Sequence, residues 1–188
     1  MASSFEIKST RPSVGETIVT IVRDHIDYRK QIFKLAGSDL RRTYRASALG
    51  WSWAIIKPLV TIFVYWFAFA IGLRRGGDIE GYPFVLWLIS GIVPWFYMSE
   101  MLTLGTECIL RNRYLVTKMK YPVSTIPTFT SISKFSVHLI LMMITILIFV
   151  ITGNELTIYL VQLPFYMLCN FLFFTGWAMF AAPKSIDR

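Results

Sequence analysis

Four long stretches of predominantly apolar sequence decide most of what this chain can fold into. The cleanest, Ala54–Leu73, is twenty residues long. At 1.5 Å of rise per residue, such a helix measures about 30 Å, the thickness of a bilayer's hydrocarbon core. Spans are expected at about residues 51–73, 84–104, 126–151 and 158–182. The chain has 188 residues, is 55% hydrophobic and has a mean hydropathy of +0.55. Soluble domains carry about 45–50% apolar residues, and here the excess is gathered into runs. The expected fold is therefore an all-α integral membrane protein. An N-terminal segment (1–50) would precede a transmembrane region (51–188).

The spans differ in quality. Trp51 and Trp53 stand at the edge of the first as interfacial anchors, and Pro58 lies in its first turns, where a missing N–H costs least. Pro94 inside the second predicts a kink. The third opens on a stretch rich in Ser, Thr and Pro, from Val123 to Lys134, before the strongly apolar Phe135–Ile151.

Residues 1–50 hold no apolar run of the signal-peptide kind. Met1–Thr17 is polar and reads as a tail. Ile18–Tyr44 is helical by pattern. Ile32, Phe33, Ala36, Leu40 and Tyr44 recur at three- and four-residue steps, which places them on one face. Basic residues including Arg41, Arg42 and Arg45 occupy much of the remainder. This predicts a basic amphipathic helix in the membrane interface, its long side chains reaching toward lipid phosphates.

Charge sets the expected orientation. The net charge is +8. With the N-terminus inside, fifteen of the 19 lysines and arginines fall in inside segments, and the two outside loops carry only Arg74 and Arg75. The positive-inside rule favours a cytoplasmic N-terminus. The basic residues flank apolar runs, which points to topology and lipid contact rather than to nucleic acid.

Motifs for soluble chemistry are missing from the sequence. It has no Walker-type glycine loop, no dinucleotide fingerprint and no zinc spacing. Cys108 and Cys169 read as small buried hydrophobes, His25 as a surface residue and His138 as a packed membrane residue. Glu100 and Lys134 fall at or near membrane depth. They are either interfacial groups that snorkel or the polar lining of a path between helices. Of the many aromatic residues in the spans, Trp66, Trp95, Phe96 and Tyr97 are candidates, with Glu100, to line such a path; lipid contact and helix packing are the competing roles.

Three stretches carry a resemblance. Asp39–Pro58 reads D-L-R-R-T-Y-R-A-S-A-L-G-W-S-W-A-I-I-K-P, the second span contains Gly91-Ile92-Val93-Pro94-Trp95, and Asn112–Pro122 is followed by Pro127. Together they resemble the ABC-2 type permeases that export polysaccharides, O-antigens and teichoic acids. Ser38 departs from the basic residue often found there. The resemblance implies a permease subunit of the bacterial cytoplasmic membrane that works as a homodimer and exports a lipid-linked glycan. A separate ATPase subunit would hold ATP and magnesium, so this chain would bind no cofactor and perform no catalysis. It further implies that Arg111, Asn112, Arg113, Tyr114, Leu115, Lys118, Lys120 and Tyr121 couple to that ATPase. Phe33, Leu40, Arg41, Arg42, Tyr44 and Arg45 would belong to the interface helix. Such permeases have six spans, so a four-span chain is expected to be a fragment or a truncated product. Two other readings compete: a membrane-embedded enzyme acting on lipid-linked sugars, and a membrane scaffold without transport.

Overall fold

A computed structural model describes residues 13–45, 49–72, 77–79, 81–119, 121–153 and 157–185. Helix α1 (Val14–Asp27) opens on a capping box. The Glu16 N–H donates to Ser13 Oγ at 3.2 Å, and the Ser13 N–H donates to the Glu16 carboxylate at 2.9 Å. Two donors at the helix start are thereby satisfied, and the helix begins ahead of the expected Ile18. Tyr28, at φ −99° and ψ 12°, interrupts the run before α2 (Arg29–Tyr44). The single helix expected over Ile18–Tyr44 is thus two. Only part of its expected common face is buried. Ile32, Ala36 and Tyr44 are buried and Leu40 is half-buried, but Phe33 is 66% exposed.

Gly50, at φ +54°, takes the left-handed conformation that side chains disfavour, and starts the turn into α3 (Trp53–Trp66). Pro58 lies inside α3. A π-helical stretch, Phe67–Gly72, continues this helix. Helix α4 (Phe84–Glu100) contains Pro94 and likewise continues as π-helix over Met101–Gly105. Two short helices follow, α5 (Cys108–Arg111) and α6 (Arg113–Met119). Helix α7 (Ile126–Ile151) is the longest, and α8 (Leu163–Ala181) is flanked by 3₁₀ turns. Four helical segments are long and apolar enough to cross a membrane: Trp53–Gly72, Phe84–Gly105, Val123–Ile151 and Ile158–Ser185. The protein is a multi-pass α-helical membrane protein.

At one end of the bundle, α1, α2, α5 and α6 form a platform under the start of α7 and the end of α8. Its core is Ile32 and Ala36 of α2, Cys108, Ile109, Leu115 and Tyr121, then Ile126 and Phe129 of α7, with Ala182 closing one side. Polar contacts pin the platform in place. His25 lies 2.7 Å through Nδ1 from the Ile21 carbonyl and 2.8 Å through Nε2 from Thr128 Oγ1. A carbonyl can only accept, so Nδ1 donates to it, and Nε2 pairs with the threonine hydroxyl. Ser124 Oγ donates to Asp24 at 2.7 Å, and Tyr28 meets Tyr121 edge-on at 5.4 Å. His25 is therefore not the surface residue expected, because it ties α1 to α7.

Above the platform, Ala54 and Ile62 of α3, Ile89 and Val93 of α4, and Val137 and Leu141 of α7 pack together with Tyr44. Tyr97, Met101, Phe174 and Ala178 join α4 to α8. Their approach is close: a Cβ on Gly105 would lie 3.0 Å from Met101 Cε and 3.2 Å from Ala178 Cβ. A row of hydroxyls crosses the same seam. Tyr97 Oη is 2.8 Å from Ser131 Oγ, which is 2.6 Å from Thr175 Oγ1.

Candidate functional site

Two neighbouring features stand out. The first is the outer surface of α5 and α6. Asn112 sits between these helices, buried, and its side-chain amide donates to the Cys108 carbonyl at 2.9 Å. Leu115 is buried beneath α6, and Tyr121 is buried against Tyr28. Burial holds the Tyr121 hydroxyl above the usual phenol range, and it pushes the Cys108 thiol up to about 12. Arg111, Arg113, Tyr114 and Lys118 are exposed. The Arg42 guanidinium of α2 lies 5.9 Å from the centre of the Tyr114 ring, a cation–π distance. The residues expected to couple therefore divide. Asn112, Leu115 and Tyr121 anchor the unit inward, Arg113, Tyr114 and Lys118 face outward, and Arg111, though exposed, borders the cavity described next. Lys120 lies outside the described residues.

The second feature is a cavity of about 440 Å³ beside the platform, bounded by α2, α3, α4 and α7. Its volume falls in the ordinary range of ligand pockets, about 300–1,000 Å³. Four charged residues line it: Lys57 of α3, Glu100 of α4, Arg111 of α5 and Lys134 of α7. Lys134 is 3% exposed, and its ammonium is 3.8 Å from the Glu100 carboxylate. At that distance the two attract without a formed hydrogen bond. Tyr44 also lines the cavity, and its hydroxyl is pushed up to about 12, first by burial and then by the Glu100 carboxylate. His138, one helical turn beyond Lys134, is buried and packs on Tyr97 and Phe135. Its Nδ1 has no hydrogen-bond partner.

The sequence singled out Glu100 and Lys134 separately, and the structure pairs them. Of the aromatics expected to line a path, Phe96 and Tyr97 face this cavity. Trp66 and Trp95 are outside its lining, and Trp95 is 54% exposed. Lys57 was missed, although its position one residue before Pro58 in a membrane-spanning helix marked it as an expensive charge. Of the interface-helix candidates, Arg41, Arg42, Tyr44 and Arg45 line a shallow groove that adjoins the cavity through Tyr44. Among the described residues, no three His, Cys, Asp or Glu side chains gather as a metal site.

Comparison with characterised proteins gives these features a context. The chain is 29% identical over 130 residues to the O-antigen export system permease protein RfbA of Myxococcus xanthus, covering 68% of this chain and 48% of that protein. It is 28% identical over 93 residues to a protein of the same description from Klebsiella pneumoniae, covering 50% of this chain and 34% of that one. The chain thus spans about half the length, or less, of these relatives. The family model for ABC-2 type transporters matches residues 30–183, from the first turn of α2 through the end of α8, and the chain belongs to that family.

Proposed function

We propose that this chain is a membrane-spanning permease subunit of an ATP-driven exporter of a lipid-linked glycan of the O-antigen, capsule or teichoic acid type. The platform faces the cytoplasm of a bacterial cell, and the spans cross its cytoplasmic membrane. The exposed face of α5 and α6 receives an ATPase subunit, which holds ATP and magnesium and hydrolyses the nucleotide. A second permease copy completes the pathway. The chain itself makes and breaks no covalent bond.

The observation that carries this reading is the construction of α5–α6. It presents Arg113, Tyr114 and Lys118 to the outside while Leu115 and Tyr121 root it in α2 and α7 and the buried Asn112 bonds back to Cys108 at the joint. Displacement of its outer face is transmitted to the spans because its inner face shares their core. The excess of basic residues at this end supports a cytoplasmic platform, and the names of the relatives support a glycan cargo.

The test is purification of the chain from its native membranes in mild detergent, with identification of co-purifying proteins. A stoichiometric partner with a phosphate-binding loop is expected. Arg113→Glu combined with Lys118→Glu reverses the charge of the outer face and is expected to lower ATPase recovery about tenfold or more, since like charges brought together at an interface cost several kcal/mol. Full recovery of the ATPase with the double variant would remove α5–α6 as its docking site.

A further inference from the structure

A small space adjoins the cavity where α2, α5 and α7 meet, and shares Arg111 and Lys134 with it. Its wall is mostly polar. Helix α2 contributes Asp39, the α5–α6 joint contributes Arg111 and Asn112, and α7 contributes Thr130 and Lys134. The space measures about 10 Å³, close to the room that a single buried water takes.

Thr130 is the residue that such a space explains. It is 4% exposed, and among the described residues its hydroxyl has no hydrogen-bond partner. Ser136, Thr145 and Thr175 each donate to the carbonyl four residues back in their own helix, at 2.8, 2.9 and 2.7 Å. Thr130 does not take that bond. A buried hydroxyl left bare is costly, and the space beside it offers room for a partner. The charged groups decide what kind of partner fits. Arg111 and Lys134 repel a cation, and Asp39 repels an anion. A neutral molecule that both donates and accepts suits all three. Lys134 brings donors that stand 3.8 Å from Glu100, short of a formed bond. Asn112 keeps a second side-chain N–H and its oxygen beyond the bond to Cys108.

We propose that this space holds one water molecule, which accepts from Lys134, donates to Asp39 and pairs with the Thr130 hydroxyl. Those contacts match the roughly three hydrogen bonds that a buried water makes. The molecule joins the basic helix α2, the α5–α6 joint and the first turns of α7 through one centre. Asn112 stands beside it, so a polar bridge as well as the apolar core holds the elbow to α7. The site goes beyond the export reading and does not depend on it.

The test uses the full chain in detergent. Thr130→Val keeps the shape of the side chain and removes the hydroxyl. It is expected to lower the thermal midpoint by about 2–4 °C. It should also speed hydrogen exchange of the α5 amides about three- to tenfold, with the apolar half of α7 unchanged. Ser133→Ala is the control. The Ser133 hydroxyl is also buried without a partner among the described residues, but Ser133 does not line this space. Its removal should leave the midpoint unchanged or raise it. A midpoint that Thr130→Val likewise leaves unchanged or raises overturns the proposal. A lowered midpoint with unchanged exchange in α5 overturns the bridge to the joint. A midpoint that follows the identity of the salt at one ionic strength, chloride against gluconate or sodium against choline, assigns the space to an ion and overturns the water. A crystal structure grown from lipid is expected to place one water within hydrogen-bond distance of Thr130 Oγ1 and the Asp39 carboxylate. A dry space, at a resolution that shows other buried waters, overturns the proposal outright.

Discussion

The platform and the outer faces of α3 and α8 are built on different principles. In the α7 span, 33% of the most apolar window is buried within the protein, against 11% in the α3 and α8 spans. The platform end of α7 is packed like a soluble core, with Phe129, Ile126 and Leu115 all at 2% exposure or less. It is tied further by His25–Thr128 and Ser124–Asp24. Along α8, by contrast, Phe165, Phe173 and Phe180 are each more than 60% exposed. The platform specifies its own arrangement through contacts inside the chain. The apolar faces of α3 and α8 match a lipid solvent or another apolar surface and gain little from their own chain.

Substitutions can break this contrast. The largest effect is expected from Phe129→Ala. Removing a fully buried aromatic from the platform should cost about 3–5 kcal/mol, seen as a large drop in the thermal midpoint of the detergent-solubilised chain. A drop no larger than that of a surface variant would mean that the platform is not a packed core. His25→Ala comes next. It leaves the Thr128 hydroxyl without its partner and should cost about 1–3 kcal/mol, with α1 cleaved faster by limited proteolysis while the spans stay protected. Equal protection of α1 in variant and parent would show that the His25 contact does not hold it. The smallest effect belongs to Phe173→Ala, expected within about 0.5 kcal/mol because the ring makes few internal contacts. A loss comparable to that of Phe129→Ala in native membranes, but not in detergent, would identify the α8 face as covered by another protein surface.

The spans were legible in the sequence because hydropathy over twenty residues is a local property. The interruption at Tyr28 was not. Tyr28 is neither Gly nor Pro, and the apolar periodicity runs through it; the break accompanies separate docking of α1, through His25 and Asp24, and of α2, through Ile32 and Ala36. The π-helical ends of α3 and α4 were equally hidden, since the apolar runs continue through them without a marker. In the cavity, half of the arrangement could be read. Lys134 and His138 are four residues apart, and Tyr97 and Glu100 three, so each pair shares a helix face. Which two faces meet is decided by packing across 34 residues of sequence between Glu100 and Lys134, and periodicity contains no information on that. Phe33 shows the converse: its spacing matched the buried face, yet its ring points outward.

Asn112 has a mechanical consequence. Its side chain closes the joint between α5 and α6 by bonding back to the Cys108 carbonyl within a buried setting. A joint of two short helices would ordinarily flex and absorb an applied load. Here the amide fixes the end of α5, while the Leu115 N–H donates to the Asn112 carbonyl at 2.9 Å and ties the start of α6 to the same residue, so Asn112 stiffens the elbow from both sides. On the docking proposed above, a load applied at Lys118 would therefore pass to Cys108, at the foot of α4, instead of being lost in the joint.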